Sequence, residues 1–193
     1  TFDKVYNEET DKVVLDTVSG FDRYGTYNLS TSVGTTVYGT FNLGEDKKIQ
    51  AIRHIMRPSL SYGYAPSYDQ YYDAYIDGDG NMVQYSRFEN TLYGAPGLYP
   101  SSAMSFSLAN TLEAKVRDKD STVLEPKKIT LLNSFNLSTS YNFEADSLKL
   151  SPLNLTAGTN ILDNKMSINF SASLDPYAID NNGVRINTFN IDN

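Results

Sequence analysis

The stretch SFNLSTSYNF, residues 134–143, alternates between two kinds of side chain. Phe135, Leu137, Tyr141 and Phe143 fall on every second position, and small uncharged Ser and Asn residues lie between them. Because successive side chains of a β-strand point to opposite faces, the stretch predicts a strand with one apolar face and one small, neutral, polar face. The fold then depends on whether a protein core or a lipid bilayer covers the apolar face.

The same alternation recurs in five other segments, at residues 27–43, 49–64, 103–117, 148–161 and 166–177. Amphipathic helical periodicity is hard to find, so the sequence predicts an all-β, antiparallel fold. Strands in globular proteins usually have ~5–6 residues. The segments here are about twice as long, and a tilted strand that crosses a bilayer takes ~9–11 residues.

The chemistry of the two faces favours lipid as the cover of the apolar face. That face has no charge across the strand middles, and its aromatic rings concentrate toward the strand ends, as in membrane barrels. We predict lipid-facing side chains at Leu29, Val33, Val37, Phe106, Leu137, Leu155, Ile168 and Phe170. The Ser, Thr, Asn and Gly of the other face suit a hydrated lumen, for which we predict Asn136, Ser138, Asn142, Asn154, Thr156, Asn169 and Ser171. The alternative is a soluble β-sandwich, which also alternates.

The sequence therefore predicts an antiparallel transmembrane β-barrel of the outer-membrane type. About seven strands is an odd number for a single-chain bacterial barrel, and open sheet edges do not persist in lipid. We expect residues 1–193 to be part of one barrel domain that belongs to a larger barrel. Residues 65–101 interrupt the alternation and predict a long, Tyr-rich extracellular loop, with a hairpin around DGDGN at residues 77–81. This loop either packs on itself or offers aromatic rings to a sugar.

The composition argues against several classes of function. The chain has no Cys and one His, so we expect no thiolate chemistry and no Cys-rich or His-rich metal site. A formal net charge of −7 argues against nucleic-acid binding. The DGDGN stretch lacks the Gly and Glu positions of a calcium-binding EF-hand loop, and no G-x-S-x-G motif is present. We expect no enzyme, no metal and no cofactor.

The stretch RHIMRPSLSYGYAP, residues 53–66, resembles the barrel domain of the LptD/OstA family of outer-membrane lipopolysaccharide-assembly proteins. The resemblance rests on Pro58, Tyr62, Tyr64 and Pro66 in the pattern P-x-x-x-Y-x-Y-x-P, followed by a loop rich in Tyr and Asp. Residues 131–155 and 167–180 are similar to the divergent form of this barrel in one branch of Gram-negative bacteria. The resemblance covers about residues 14–186.

The resemblance implies a translocon in the outer membrane of a Gram-negative bacterium. Such proteins accept lipopolysaccharide from periplasmic bridge components, hold a plug lipoprotein and release the lipid into the outer leaflet. The expected partners are lipopolysaccharide, the plug lipoprotein, the periplasmic bridge and membrane lipid. Two alternatives stay open: a porin or plugged nutrient receptor, and a secreted glycan-binding or adhesin β-sandwich.

Overall fold

The computed structural model describes residues 1–118, 125–161 and 165–190. The strands of this part of the chain are β1 (Phe2–Asn7), β2 (Lys12–Thr17), β3 (Leu29–Gly34), β4 (Val37–Asn42), β5 (Ile49–Ala65), β6 (Asp73–Ile76), β7 (Met82–Tyr85), β8 (Ser101–Val116), β9 (Lys127–Asn142), β10 (Leu153–Ile161), β11 (Met166–Leu174), β12 (Tyr177–Ile179) and β13 (Arg185–Phe189). A single 3-10 turn, Asp69–Tyr71, is the one helical element in the described residues. The strand pairs are antiparallel, which confirms the all-β, antiparallel prediction.

Seven strands form one sheet in the order β11-β10-β9-β8-β5-β3, and β4 also pairs with β5. Strand β5 has 17 residues, and β8 and β9 have 16 each, so the long strands predicted from the alternation are present. Within the described residues β11 is one edge of the sheet, and β3 and β4 lie along the other. A closed barrel is therefore not observed, and the chain shows an open antiparallel sheet.

The chain divides into two compact units. The loop unit contains Thr1–Leu29 and Gly63–Ser102, and its hairpins are β1-β2 and β6-β7. The sheet unit contains Ser30–Tyr62 and Ala103–Asn193, with most of the main sheet and the β12-β13 hairpin. None of the described residues belongs to a helix long and apolar enough to cross a membrane.

Residues 27–43, predicted as one strand, are divided between β3 and β4 at residues 35 and 36. The Thr35 amide donates to the Pro58 carbonyl over 3.2 Å. Proline has no N–H, so Pro58 cannot donate the second hydrogen bond of this residue pair to the Thr35 carbonyl. The ladder is therefore weaker at this point. Regular pairing is present in β4, where Val37 lies opposite Met56. Pro58 therefore lies opposite a break between two strands.

Candidate functional site: a two-faced sheet and a tyrosine-rich loop unit

The register of the central strands aligns apolar side chains into rows on one face of the sheet. Two rows of Cα partners cross β8, β9, β10 and β11, namely Leu108–Leu137–Leu155–Ala172 and Asn110–Phe135–Ala157–Phe170. Neither row contains a charged side chain. A face of this composition suits an apolar environment, since burial of apolar surface is favourable by about 25 cal/mol per Å².

The residues predicted to face lipid fall on this apolar face. Phe106, Ile168 and Phe170 alternate with the polar side chains of β8 and β11, and Val37 lies opposite Met56 on β5. Most of these side chains are exposed in the described structure, and Phe170 has 60% of its surface accessible. Leu29, Val33, Val37, Phe106 and Ile168 are also exposed, whereas Leu137 and Leu155 are half-buried. The described part of the chain therefore leaves most of the predicted lipid-facing side chains uncovered.

The opposite face carries small polar side chains in matching rows. Two rows cross β8 to β11 here, namely Ser107–Ser138–Asn154–Ser173 and Ala109–Asn136–Thr156–Ser171. The residues predicted to line a lumen all lie on this face: Asn136, Ser138, Asn142, Asn154, Thr156, Asn169 and Ser171. Some of them bond across strands, as Asn136 Nδ2 donates to Thr156 Oγ1 over 3.3 Å. The face offers hydroxyl and amide groups to water or to a polar ligand.

One polar pair lies on the apolar face and is satisfied within the sheet. His54 Nε2 and Asn110 Oδ1 are 3.0 Å apart, and Asn110 Nδ2 donates to the Phe135 carbonyl over 2.9 Å. The Asn110 side chain is buried, and the β8-β9 register shifts directly after it. A buried amide costs little when both of its polar atoms are bonded. These bonds satisfy the histidine and the asparagine that lie on the apolar face.

The residues of the P-x-x-x-Y-x-Y-x-P motif lie in and after β5. Pro58 faces the break between β3 and β4, and the Tyr62 ring lies edge-on to Phe143 with centroids 6.2 Å apart. Tyr64 is the second-last residue of β5, and Pro66 lines a cleft of the loop unit. The motif therefore covers the second half of the longest described strand and the start of the following connection.

Tyrosine side chains brace the loop unit from within. Tyr24 Oη donates to the Gly94 carbonyl over 2.9 Å, and the Tyr68 hydroxyl donates to the Tyr27 carbonyl. The braced segments surround a cleft of about 780 Å³ whose lining is uncharged and contains Tyr24, Tyr27, Tyr68, Tyr93 and Tyr99. The long connection also packs on itself, because Tyr72 Oη donates to the Pro96 carbonyl and Ser67 Oγ donates to the Leu98 carbonyl. This self-packing is the first of the two interpretations that the sequence left open.

Ion pairs hold further parts of the loop unit together. The Arg87 guanidinium lies 3.7 Å from Asp3, 3.6 Å from Asp22 and 3.4 Å from Asp73, and Lys4 pairs with Glu89. The bond to Asp73 is the main cause that raises the pKa of Arg87. The described residues contain no group of three or more His, Asp or Glu side chains arranged to hold a metal ion.

The DGDGN stretch forms the turn of the predicted β6-β7 hairpin. Asp77 Oδ1 accepts the backbone amides of Asp79 and Asn81 over 3.0 and 2.8 Å. The bond from the Asn81 amide is the largest cause that lowers the pKa of the Asp77 carboxyl. Gly80 has φ +81°, a left-handed conformation that favours glycine. The acidic residues of this stretch therefore build a turn.

A charged cavity at one end of the polar face was not anticipated from the sequence. It has a volume of about 570 Å³ and is lined by Arg53, Glu113, Lys115 and Lys128, with the Tyr38 ring beside Arg53. The alternation along β8 indicates that Glu113 and Lys115 lie on the same, polar face. The approach of Lys128 depends on the irregular β8-β9 register, which alternation does not encode.

Comparison with known protein families agrees with this geometry. A family model described as LptD protein matches residues 1–177, which includes all strands of the main sheet. Comparisons with curated proteins and with solved structures gave no match. The family match covers far more than half of the 193 residues. The chain therefore belongs to the LptD family.

Proposed function

We propose that this chain is part of an outer-membrane barrel that inserts lipopolysaccharide into the outer leaflet. Membership of the LptD family supports lipopolysaccharide transport and an outer-membrane location. The observation that carries the proposal is the sheet with one apolar face and one polar face, whose central rows through Leu137 and Ser138 contain no charged side chain. A barrel wall needs these two faces, because one side contacts hydrocarbon and the other contacts water.

In this proposal the two faces handle different parts of one amphipathic lipid. The polar rows line a hydrated cavity through which the glycan moves, and the acyl chains stay at the depth of the bilayer core. No covalent bond is made or broken, so the protein acts without catalysis. The plug lipoprotein and the periplasmic bridge are the partners that the family resemblance implies, and further strands of the same barrel close the sheet.

The lengths of the connections support an orientation for the sheet. The β4-β5 connection is a short charged turn at residues 43–48, whereas the chain between β5 and β8 runs from residue 66 to residue 100. Bacterial barrels have short periplasmic turns and longer extracellular loops. We therefore assign the β4-β5 turn to the periplasmic side and residues 66–100 to the extracellular side.

To test this function, bulky side chains are introduced into the proposed lumen of the full-length protein. Ser138→Trp with Asn154→Trp places two large rings on Cα partners of the polar face. We expect less newly made lipopolysaccharide at the surface of cells that depend on this variant. The matched control, Leu137→Trp with Leu155→Trp, places the same rings on the apolar face and leaves transport near the wild-type level.

Two results would contradict the proposed function. Equal transport by the two Trp pairs, with both proteins present in the outer membrane, would show that the polar face does not line the path. Normal surface lipopolysaccharide in cells without the protein, together with loss of small-solute uptake, would favour the porin alternative.

A further inference from the structure

The charged cavity differs from the rest of the polar face in having several unpaired charges. Lys115 and Lys128 are Cα partners on β8 and β9, so two ammonium groups face each other across one pair of strands. Like charges directly opposite each other destabilise a sheet. Arg53 adds a third cation, and its guanidinium lies 4.7 Å from the centre of the Tyr38 ring.

The described residues supply no ion pair for these three cations. The ion pairs of the described chain lie in the loop unit, apart from the one between Arg185 and Asp175. The one acidic side chain of the cavity is Glu113, so its formal charge is +2 in a chain whose net charge is −7. An anionic ligand would offset this local excess through charge-assisted hydrogen bonds.

Glu113 adds a second requirement that a simple anion does not meet. Its Oε2 atom is buried and has no hydrogen-bond partner among the described residues. A buried acceptor without a donor is destabilising, and more so when it is charged. A ligand that fits the cavity therefore offers an anionic group to the cations and a hydroxyl or other donor to Glu113.

We propose that this cavity binds a phosphorylated sugar. The phosphate accepts hydrogen bonds from Lys115, Lys128 and Arg53, and a sugar hydroxyl donates to the Glu113 carboxylate, which turns its unsatisfied Oε2 atom toward the ligand. A phosphate monoester carries a charge of about −1.5 to −2 at pH 7, which balances the excess of the cavity. A volume of about 570 Å³ accommodates a ligand of this size.

This inference deepens the proposed function and rests on it, since it names the part of the transported glycolipid that the polar face recognises. The cavity lies beside residues near the β4-β5 turn, such as Asn42 and Ala51, and therefore at the end assigned to the periplasm. A phosphorylated sugar head group entering from that side would meet it first.

The test measures binding of glucose 1-phosphate to the full-length protein in detergent by titration calorimetry. We expect wild-type protein to prefer glucose 1-phosphate over glucose and over inorganic phosphate. Lys128→Gln weakens binding about tenfold, because it removes one charge-assisted bond. The matched control is Lys127→Gln, which makes the same charge change at the neighbouring residue, whose partner Val116 lies on the other face.

Glu113→Ala separates the sugar contact from the phosphate contact. We expect weaker binding of glucose 1-phosphate, because the hydroxyl loses its acceptor. The same variant binds inorganic phosphate more tightly, because a negative charge leaves the cavity. Equal losses in Lys127→Gln and Lys128→Gln, or a wild-type affinity for glucose equal to that for glucose 1-phosphate, would overturn the inference.

A competition arm identifies the source of the phosphate. We expect a phosphorylated glycolipid in detergent to displace glucose 1-phosphate, and the same glycolipid treated with phosphatase to fail. If neither glycolipid preparation displaces glucose 1-phosphate, the inference that the ligand is a glycolipid is overturned.

Binding does not require transport, so the two proposals can fail separately. A protein that binds glucose 1-phosphate and fails the Trp-pair test contradicts the proposed function alone. A protein that passes that test and does not bind contradicts this inference alone.

Discussion

Phe170 and Ser171 are neighbours at the middle of β11 and point to opposite faces. In the proposed membrane setting Phe170→Arg places a charge in hydrocarbon, and we expect the free energy of unfolding in a bilayer to fall by about 2–4 kcal/mol. Ser171→Arg places the same charge in the hydrated lumen and has a much smaller effect. Denaturant unfolding of both variants in lipid vesicles measures the difference, and equal losses would contradict the assignment of the faces.

The pair of His54 and Asn110 allows a double-mutant cycle. Asn110→Leu leaves His54 Nε2 and the Phe135 carbonyl without their partner, so we expect a loss of about 1–3 kcal/mol in the free energy of unfolding. Adding His54→Leu removes one of the stranded groups, and the double variant then loses less than the sum of the single losses. Strict additivity in denaturant unfolding would show that the two side chains do not interact.

The Asp77 carboxyl gives the β6-β7 turn a dependence on pH. Its pKa is lowered from the ordinary 3.8 by backbone amides, so the turn is stabilised above that value. The stabilisation is lost as the pH falls through the lowered pKa. The NMR shift of the Asn81 amide proton should titrate with a midpoint below 3.8, and Asp77→Asn should abolish this step. A midpoint at or above 3.8 would contradict the hydrogen bonds of the turn.

The break between β3 and β4 depends on the missing donor of Pro58. Pro58→Val keeps an apolar side chain on the same face and supplies an N–H opposite Thr35. We expect one additional ladder bond, a gain of about 0.5–1.5 kcal/mol in stability and slower amide exchange at residues 35–37. Leu60→Val, a nearby change on the same strand that adds no donor, is the control. Unchanged exchange in Pro58→Val would show that another contact causes the break.

The strands of the main sheet could be predicted because a period of two is easy to recognise in SFNLSTSYNF and its counterparts. The β1-β2 hairpin was missed, because KVVLDT has apolar residues on both faces and the preceding segment alternates weakly. A local signal was nevertheless present. Asn7 Oδ1 accepts the amides of Glu9 and Thr10, and Asp11 adopts φ +51°, both of which are typical of turns.

The charged cavity illustrates what a strand pattern does not contain. Alternation assigns Lys115 to a face, but it does not say which residue of β9 lies opposite. That partner depends on the register shifts after Asn110, where β9 contains extra residues relative to β8. Such bulges follow from packing between strands, so Lys128 could not be assigned to the site from the sequence.

The open sheet and the family membership have one common explanation. Within the described residues, the outer edges of β11 and of β3 with β4 have no neighbouring strand, and unpaired backbone groups are costly in lipid. In the proposed barrel, further strands pair with these edges and close the wall. The uncovered apolar rows then contact hydrocarbon, and the Ser, Asn and Thr rows contact water.

The most direct test of the lipid-facing assignment is cysteine accessibility in the native outer membrane, since this chain has no cysteine of its own. Single substitutions Asn136→Cys, Leu137→Cys, Ser138→Cys, Asn154→Cys and Leu155→Cys are treated with a membrane-impermeant maleimide. We predict labelling at residues 136, 138 and 154, and protection at residues 137 and 155. The opposite pattern, or equal labelling at all five positions, would contradict the account.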